Sequence, residues 1–170
     1  PPPPPRPYFY LMIRRQPRST RKESSAASDV YKRQKQLLGV AKGKMETYKD
    51  MATFLSSKRY TPETLRTYYS TVFANQNPKV KGIGFNAADI VDFEKYGSKN
   101  AKLAMEVTNT QPGAHLGEGS FWQAFNAVTY LTDHQLGREA DSRLNSAWYG
   151  VNKVKKAKAL ETALEFAQAA

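Results

Sequence analysis

A chain of 170 residues, with 40% hydrophobic side chains that include ten Tyr and eight Phe, is long enough for one domain with a hydrophobic core. It contains no cysteine, which excludes disulfides, thiol nucleophiles and cysteine-based zinc sites and fits a reducing cytoplasm. No apolar run approaches the roughly 18 residues that span a bilayer, so we expect no membrane partner, whereas the net charge of +11 suggests a polyanionic one.

The first 34 residues lack the pattern of a folded segment. They open with five prolines and then show no helical or strand period over any useful window. Within them, IRRQPRST and SSAASDVYKRQ resemble translated sequencing-adaptor read-through, and the alternative is a natural basic tail. We therefore expect residues 1–34 to be disordered and residues 35–170 to form a single helical domain.

The distribution of charge weakens any inference from net charge alone. Residues 1–34 hold eight basic and two acidic side chains, so six of the eleven net positive charges lie there. A case for nucleic-acid binding must therefore rest on local clusters in residues 35–170.

Two helices are predicted at the start of this domain. Apolar residues at intervals of three and four predict an amphipathic helix over residues 35–57, although two glycines weaken its first turns. Thr-Pro-Glu at residues 61–63 is typical of a helix start, with an N-cap, a proline at the first helical position and an acid in the first turn. The second helix is predicted to run to Phe73.

The middle of the chain carries weaker signals. Residues 86–93 indicate a short helix capped by Asn86, and residues 101–107 indicate another. Residues 112–119, PGAHLGEG, contain three glycines and predict a loop that matches no phosphate-binding fingerprint.

The most sharply patterned segment is SFWQAFNAVTYLTDH at residues 120–134, with Ser120 as the N-cap. At about 100° per residue, one side of this helix is an apolar core face. The other side is polar, but it carries aromatic and amide side chains instead of the usual Lys and Glu. Its residues are Trp122, Asn126, Thr129, Tyr130 and Asp133.

The last predicted helix, residues 152–167, has its charges placed against the helix dipole. Four lysines lie near its N-terminus, namely Lys153, Lys155, Lys156 and Lys158. Exposed cations there are slightly destabilising, and a bound anion would reverse that effect. The alternative is a solvated helix with a Lys158–Glu161 pair. The side predicted to face the core comprises Val154, Ala157, Leu160, Leu164 and Ala167.

Several motifs together resemble a bacterial and phage protein family. They are FWQAFNAVTYLTDH, the segment RLNSAWYG and the lysine-rich stretch that ends KALETALEFA. These motifs are similar to those of the domain of unknown function nine-three-two, also called the phage/plasmid-like protein family. Tyr149 stands where Phe is commoner in that family, and Thr132 stands where Val is usual.

The resemblance covers residues 36–168 and implies both a fold and a context. The implied fold is mainly α, the helical C-terminal portion of a larger α+β domain, with few short strands and with the N-terminal half of the family domain missing. The implied context is a bacterial or phage mobile genetic element and a cytoplasmic location. The family has no established activity or catalytic residue, so none is implied here.

Candidate catalytic and metal-binding residues are few. His115 and His134, with Asp133 or Glu118, lack a recognised metal-ligand spacing, and adjacent helical residues point about 100° apart. Ser120 with His115 has no supporting nucleophile motif. We therefore predict no catalytic residue, metal or cofactor, and expect that the protein is not an enzyme.

The polar face of the central helix leaves two interpretations open. In one, a buried polar network against residues 143–149 comprises Trp122, Asn126, Tyr130 and Asp133, and Asp133 pairs with Arg138 or Arg143. In the other, aromatic rings and nearby cations form a surface that binds single-stranded DNA. That surface would comprise Trp122, Tyr130, Arg138, Arg143, Tyr149, Lys153, Lys155, Lys156 and Lys158.

Two hypotheses about function follow. The first is a nucleic-acid-binding accessory protein of a mobile genetic element, with single-stranded DNA as its partner. The alternative is a structural or protein-interaction module with no chemistry of its own.

Overall fold

The computed structural model describes residues 20–74, 79, 84–137 and 139–170, with side-chain exposure given from residue 29 onward. The described residues form seven α-helices and one π-helical turn, and they include no β-strand, so the prediction of a mainly α protein is confirmed. The helices are α1 (Thr20–Ser57), α2 (Pro62–Val72), α3 (Ile90–Tyr96), α4 (Lys99–Val107), α5 (Phe121–Tyr130), α6 (Ala140–Tyr149) and α7 (Val151–Ala169), and the π-helical turn (Leu131–Gln135) follows α5 directly.

Helix α1 begins at Thr20, earlier than the predicted start at Lys35, and it crosses the expected boundary between residues 34 and 35. Residues 20–34 contain no proline and no glycine, so nothing in them stops the helix from extending toward the N-terminus. Residues 1–19 of the segment expected to be disordered lie outside the described residues. The chain divides into two compact units, residues 1–47 and residues 48–170, and every side chain described in the first unit is exposed.

The core of the second unit is built around two adjacent tyrosines of α2. Tyr68 and Tyr69 are fully buried, with their ring centroids 5.2 Å apart. The Tyr68 hydroxyl donates to the carbonyl oxygen of Ala159 on α7 at 3.0 Å, and the Tyr69 hydroxyl lies 2.7 Å from Oγ1 of Thr108. Burial raises the pKa of both phenols above the ordinary value of 10.0. These two side chains therefore join α2 to two other parts of the chain.

Side-chain caps begin four of the described helices, and the two at Thr61 and Ser120 were predicted. Thr61 accepts a hydrogen bond from the backbone N–H of Thr64 at 3.2 Å, and Ser120 accepts one from Gln123 at 3.4 Å. The predicted cap at Asn86 is wrong, because α3 begins at Ile90 and is capped by Asp89. The Asn86 side chain instead closes a turn by accepting from the N–H of Ala88 at 3.1 Å.

The predicted core-facing side of the last helix is partly wrong. Val154 is 67% exposed and Ala157 is also exposed. The buried face of α7 consists of small and polar residues, namely Asn152, Ala159, Thr162, Ala163 and Ala167. Small side chains let helices approach closely, and their low hydrophobicity leaves no apolar period in the sequence to mark this face.

A short backbone pairing links the α1–α2 connection to the start of α5. Arg59 and Ser120 form an isolated antiparallel bridge, with hydrogen bonds from the N–H of Tyr60 to Gly119 O at 3.0 Å and from that of Phe121 to Lys58 O at 3.1 Å. Gly119 has a φ of 74°, which favours glycine at this position. The glycine-rich loop is thereby held in register against the end of α1.

Candidate nucleic-acid interface

The junction between α6 and α7 is fixed by one buried amide. The side chain of Asn152 donates to the carbonyl oxygens of Thr132 at 2.9 Å and Leu136 at 3.4 Å, both at the π-helical turn. Its backbone N–H donates to Oγ of Ser146 at 3.3 Å. A Cβ added at Gly150 would lie 3.0 Å from the Cα of Ser146, so the two helices turn closely at this glycine. Asn152 therefore sets the angle at which α7 leaves α6.

The aromatic corner, defined as Trp148, Tyr149, Val151 and Val154, lies at this junction and is exposed. Trp148 is 64% exposed and Tyr149 is 86% exposed. Helix α6 contributes no buried residue to the core, so its two aromatic side chains are not explained by packing. Tyr149 was predicted from sequence as a binding residue, whereas Trp148 was not. The signal that could have found Trp148 is its position directly beside Tyr149, ahead of the glycine that ends α6.

The four lysines predicted to bind phosphate divide into two pairs. Lys153 is exposed and Lys155 is half-buried, and neither makes an ion pair within the described part of the chain. Lys156 is paired with Asp133 at 2.8 Å, and Nζ of Lys158 donates to the carbonyl oxygen of Thr71 at 2.6 Å. Among the described residues, Lys153 and Lys155 thus remain as the two lysines beside the aromatic corner that have no partner.

Trp122 and Tyr130, which the sequence analysis placed in the binding surface, have partners within the fold. The half-buried ring of Trp122 lies 5.7 Å from that of Tyr48 and 5.8 Å from that of Phe125. Tyr130 is also half-buried against the core, with its ring 4.9 Å from that of His134. Both side chains also pack against the hydrophobic core, so part of each ring is used in contacts within the fold.

The predicted polar network around Asn126 and Asp133 differs from the one observed. Asp133 pairs with Lys156, whereas Arg143 donates to Gly137 O at 3.3 Å and Arg138 lies outside the described residues. Asn126 is half-buried, and its side chain makes no hydrogen bond to the described residues. The lysine reaches Asp133 because α7 packs against the π-helical turn, a tertiary contact that local sequence does not encode.

The principal buried polar network lies instead at Gln123. Its Nε2 donates to the carbonyl oxygens of Thr108 at 3.2 Å and Ala114 at 3.1 Å. Its Oε1 accepts from the Tyr60 hydroxyl at 2.7 Å and from the N–H of Gly119 at 2.8 Å. Gln123 thereby joins α5 to the glycine-rich loop. The signal for it was Ser-x-x-Gln at residues 120–123, the spacing of a capping box.

The described residues show neither a metal-binding cluster nor a membrane-spanning helix. Within the described residues, no three His, Asp or Glu side chains lie close enough together to hold a metal ion. His115 and His134 are both exposed. None of the described helices combines the length and apolar character needed to cross a bilayer.

No family model, curated protein or solved structure matches this chain.

Proposed function

We propose that this protein binds single-stranded nucleic acid through the aromatic corner and the lysines of α7. The observation that carries the proposal is the exposure of Trp148 and Tyr149 next to Lys153 and Lys155, two cations without a partner in the described chain. Every base has a π-face, so exposed aromatic rings bind bases without sequence preference. Lysines beside them supply the charge that phosphates require.

The position of the lysines supports the same proposal. Lys153 and Lys155 lie in the first turns of α7, a helix whose N-terminus has no side-chain cap and no acidic residue in its first turn. The helix dipole disfavours cations at this end, and a bound phosphate would compensate that unfavourable interaction. Nucleic acid would therefore stabilise an arrangement that is electrostatically unfavourable in its absence.

The resemblance to the phage/plasmid-like family extends the proposal to a biological context. On that basis the protein is an accessory of a bacterial or phage mobile genetic element, acting in the cytoplasm, and its helices form the C-terminal portion of a larger α+β domain. The absence of cysteine fits the reducing environment of the cytoplasm. The context rests on the motifs FWQAFNAVTYLTDH and RLNSAWYG.

A second candidate function is a protein-interaction module. The observation that favours it is the apolar character of the same junction, because Leu144, Val151 and Val154 are each at least 60% exposed. Exposed apolar patches of this kind commonly mark protein-binding surfaces. The two candidates differ in their response to salt, since phosphate contacts weaken steeply with ionic strength and apolar contacts do not.

The test uses the two tryptophans of the chain as separate reporters. A Trp122→Phe variant leaves Trp148 as the sole tryptophan, and a Trp148→Phe variant leaves Trp122. On titration with oligothymidylate, we expect the emission of Trp148 to be quenched because bases stack on its ring, while the emission of Trp122 stays unchanged because its neighbours shield it.

The comparison of the two tryptophan variants also detects DNA binding by the basic N-terminal segment. Residues 1–34 carry six net positive charges and can attract DNA without involving the aromatic corner. Such binding would leave both tryptophan emissions unchanged, and that result would contradict the proposed function. Quenching of Trp148 that disappears at high salt would support it over the interaction module.

A further inference from the structure

A groove beside the aromatic corner is formed by three segments of the chain. Its volume is about 530 Å³, within the range of roughly 300–1,000 Å³ typical of small-ligand sites. The end of α2, the beginning of α4 and the beginning of α7 contribute its walls. The polar and charged residues that line it are Ser98, Asn100, Lys155 and Lys158.

The charged side chains that line the groove are two lysines of α7. Lys155 and Lys158 line it, and no acidic side chain does. The hydrogen bond from Nζ of Lys158 to Thr71 O holds that ammonium group at the end of α2. The first turns of α4 and α7 also lack acidic residues. An anion entering this groove would therefore meet two cations and no carboxylate in its lining.

Two polar side chains complete the groove. Oγ of Ser98 accepts from the N–H of Ala101 at 3.2 Å, which leaves its hydroxyl hydrogen available as a donor. The half-buried amide of Asn100 makes no hydrogen bond to the described residues, so it has both donors and an acceptor to offer. Val72, Phe73 and Val151 supply an apolar surface beside these groups.

We infer that this groove binds a phosphate-bearing group of nucleotide size, with Lys155 and Lys158 on the phosphate and Asn100 as a hydrogen-bonding partner. The phosphate comes either from the strand bound at the aromatic corner or from a free nucleotide. The inference rests on the proposed function, because Lys155 serves both, and it adds Lys158 to the residues that contact phosphate. It adds Ser98 and Asn100 of α4, which sequence patterns did not single out.

The test compares three variants of the full chain that each lower the net charge by one. Asn100→Asp and Lys155→Gln alter the groove, whereas Lys99→Gln alters an exposed neighbour that does not line it. Asn100→Asp is nearly isosteric and places an acid in the first turn of α4, where the helix dipole favours it, so folding is retained. Affinity is measured for labelled oligothymidylate by anisotropy and for thymidine monophosphate by calorimetry.

We expect both groove variants to weaken binding about tenfold, the size expected when a hydrogen bond to a charged group is lost, and Lys99→Gln to change it less than about twofold. Losses confined to oligothymidylate identify strand phosphate as the ligand, and losses with thymidine monophosphate identify a free nucleotide. Equal losses in all three variants would overturn the inference, because they report net charge alone. The proposed function would then still stand if Trp148 is quenched, and would fall independently if it is not.

Discussion

At the scale of single residues, Gln123 has more polar contacts than any sequence pattern would assign to it. Its buried amide lies within hydrogen-bond distance of five groups from three parts of the chain, including the Tyr60 hydroxyl and the N–H of Gly119. We expect Gln123→Ala to lower the free energy of unfolding by roughly 2–4 kcal/mol, because it leaves buried polar groups without partners. Urea denaturation measures this. The exposed Gln168→Ala is the matched control, and an equal small loss in both variants would refute the role of Gln123.

For the Asp133–Lys156 pair, we predict only a small effect on the free energy of unfolding. The two side chains are 36% and 25% exposed, so solvent screens the charges. Asp133→Ala should therefore lower the free energy of unfolding by less than about 1 kcal/mol. Thermal or urea unfolding of the variant checks this value. A loss of several kcal/mol would contradict a solvent-screened pair.

At the scale of elements, substitutions on α7 test which face of that helix is buried. Ala159 and Ala157 lie two positions apart on the same helix, but Ala159 is fully buried beneath the Tyr68 hydroxyl and Ala157 is exposed. Ala159→Leu should destabilise the fold by about 1–3 kcal/mol through overpacking. Ala157→Leu should change stability by less than about 0.5 kcal/mol. If the two effects were reversed in unfolding experiments, the face predicted from apolar spacing would be correct.

Some features of the helices could be predicted from sequence, and others could not. The starts of α2 and α5 were predictable because Thr61 and Ser120 cap them through contacts three residues away. The buried face of α7 was not, because alanine and polar residues produce no apolar period there.

The residues of the candidate site also differ in whether local sequence could suggest them. Tyr149, Lys153 and Lys155 could be proposed from sequence because aromatic and basic residues cluster locally in the chain. The contact between Trp122 and Tyr48 could not be predicted, because the two residues lie far apart in sequence. Asn100 was missed for the same reason, since the groove it lines is formed only when α2, α4 and α7 pack together.

At the scale of the whole molecule, the buried tyrosines of α2 couple stability to alkaline pH. Burial raises the folded-state pKa of Tyr68 and Tyr69 above the ordinary value of 10.0, so the folded protein retains protons that the unfolded chain releases. Their contribution is fully present below about pH 10 and is lost as the pH rises above that value. We expect the free energy of unfolding to fall there by up to about 1.4 kcal/mol per pH unit for each tyrosine. Tyr68→Phe should reduce this slope, and an unchanged slope would contradict the coupling.

One affinity measurement tests most directly whether the aromatic corner is a nucleic-acid-binding surface. At about 200 mM salt, where nonspecific attraction by the basic N-terminal segment is weakened, oligothymidylate affinity is compared between the parent chain and a Trp148→Ala, Tyr149→Ala double variant. Both side chains are exposed, so their removal leaves the core intact. Stacking contributes about 1–3 kcal/mol per base, so we predict that the double variant binds at least about tenfold more weakly. Equal affinity in the two proteins would contradict the claim.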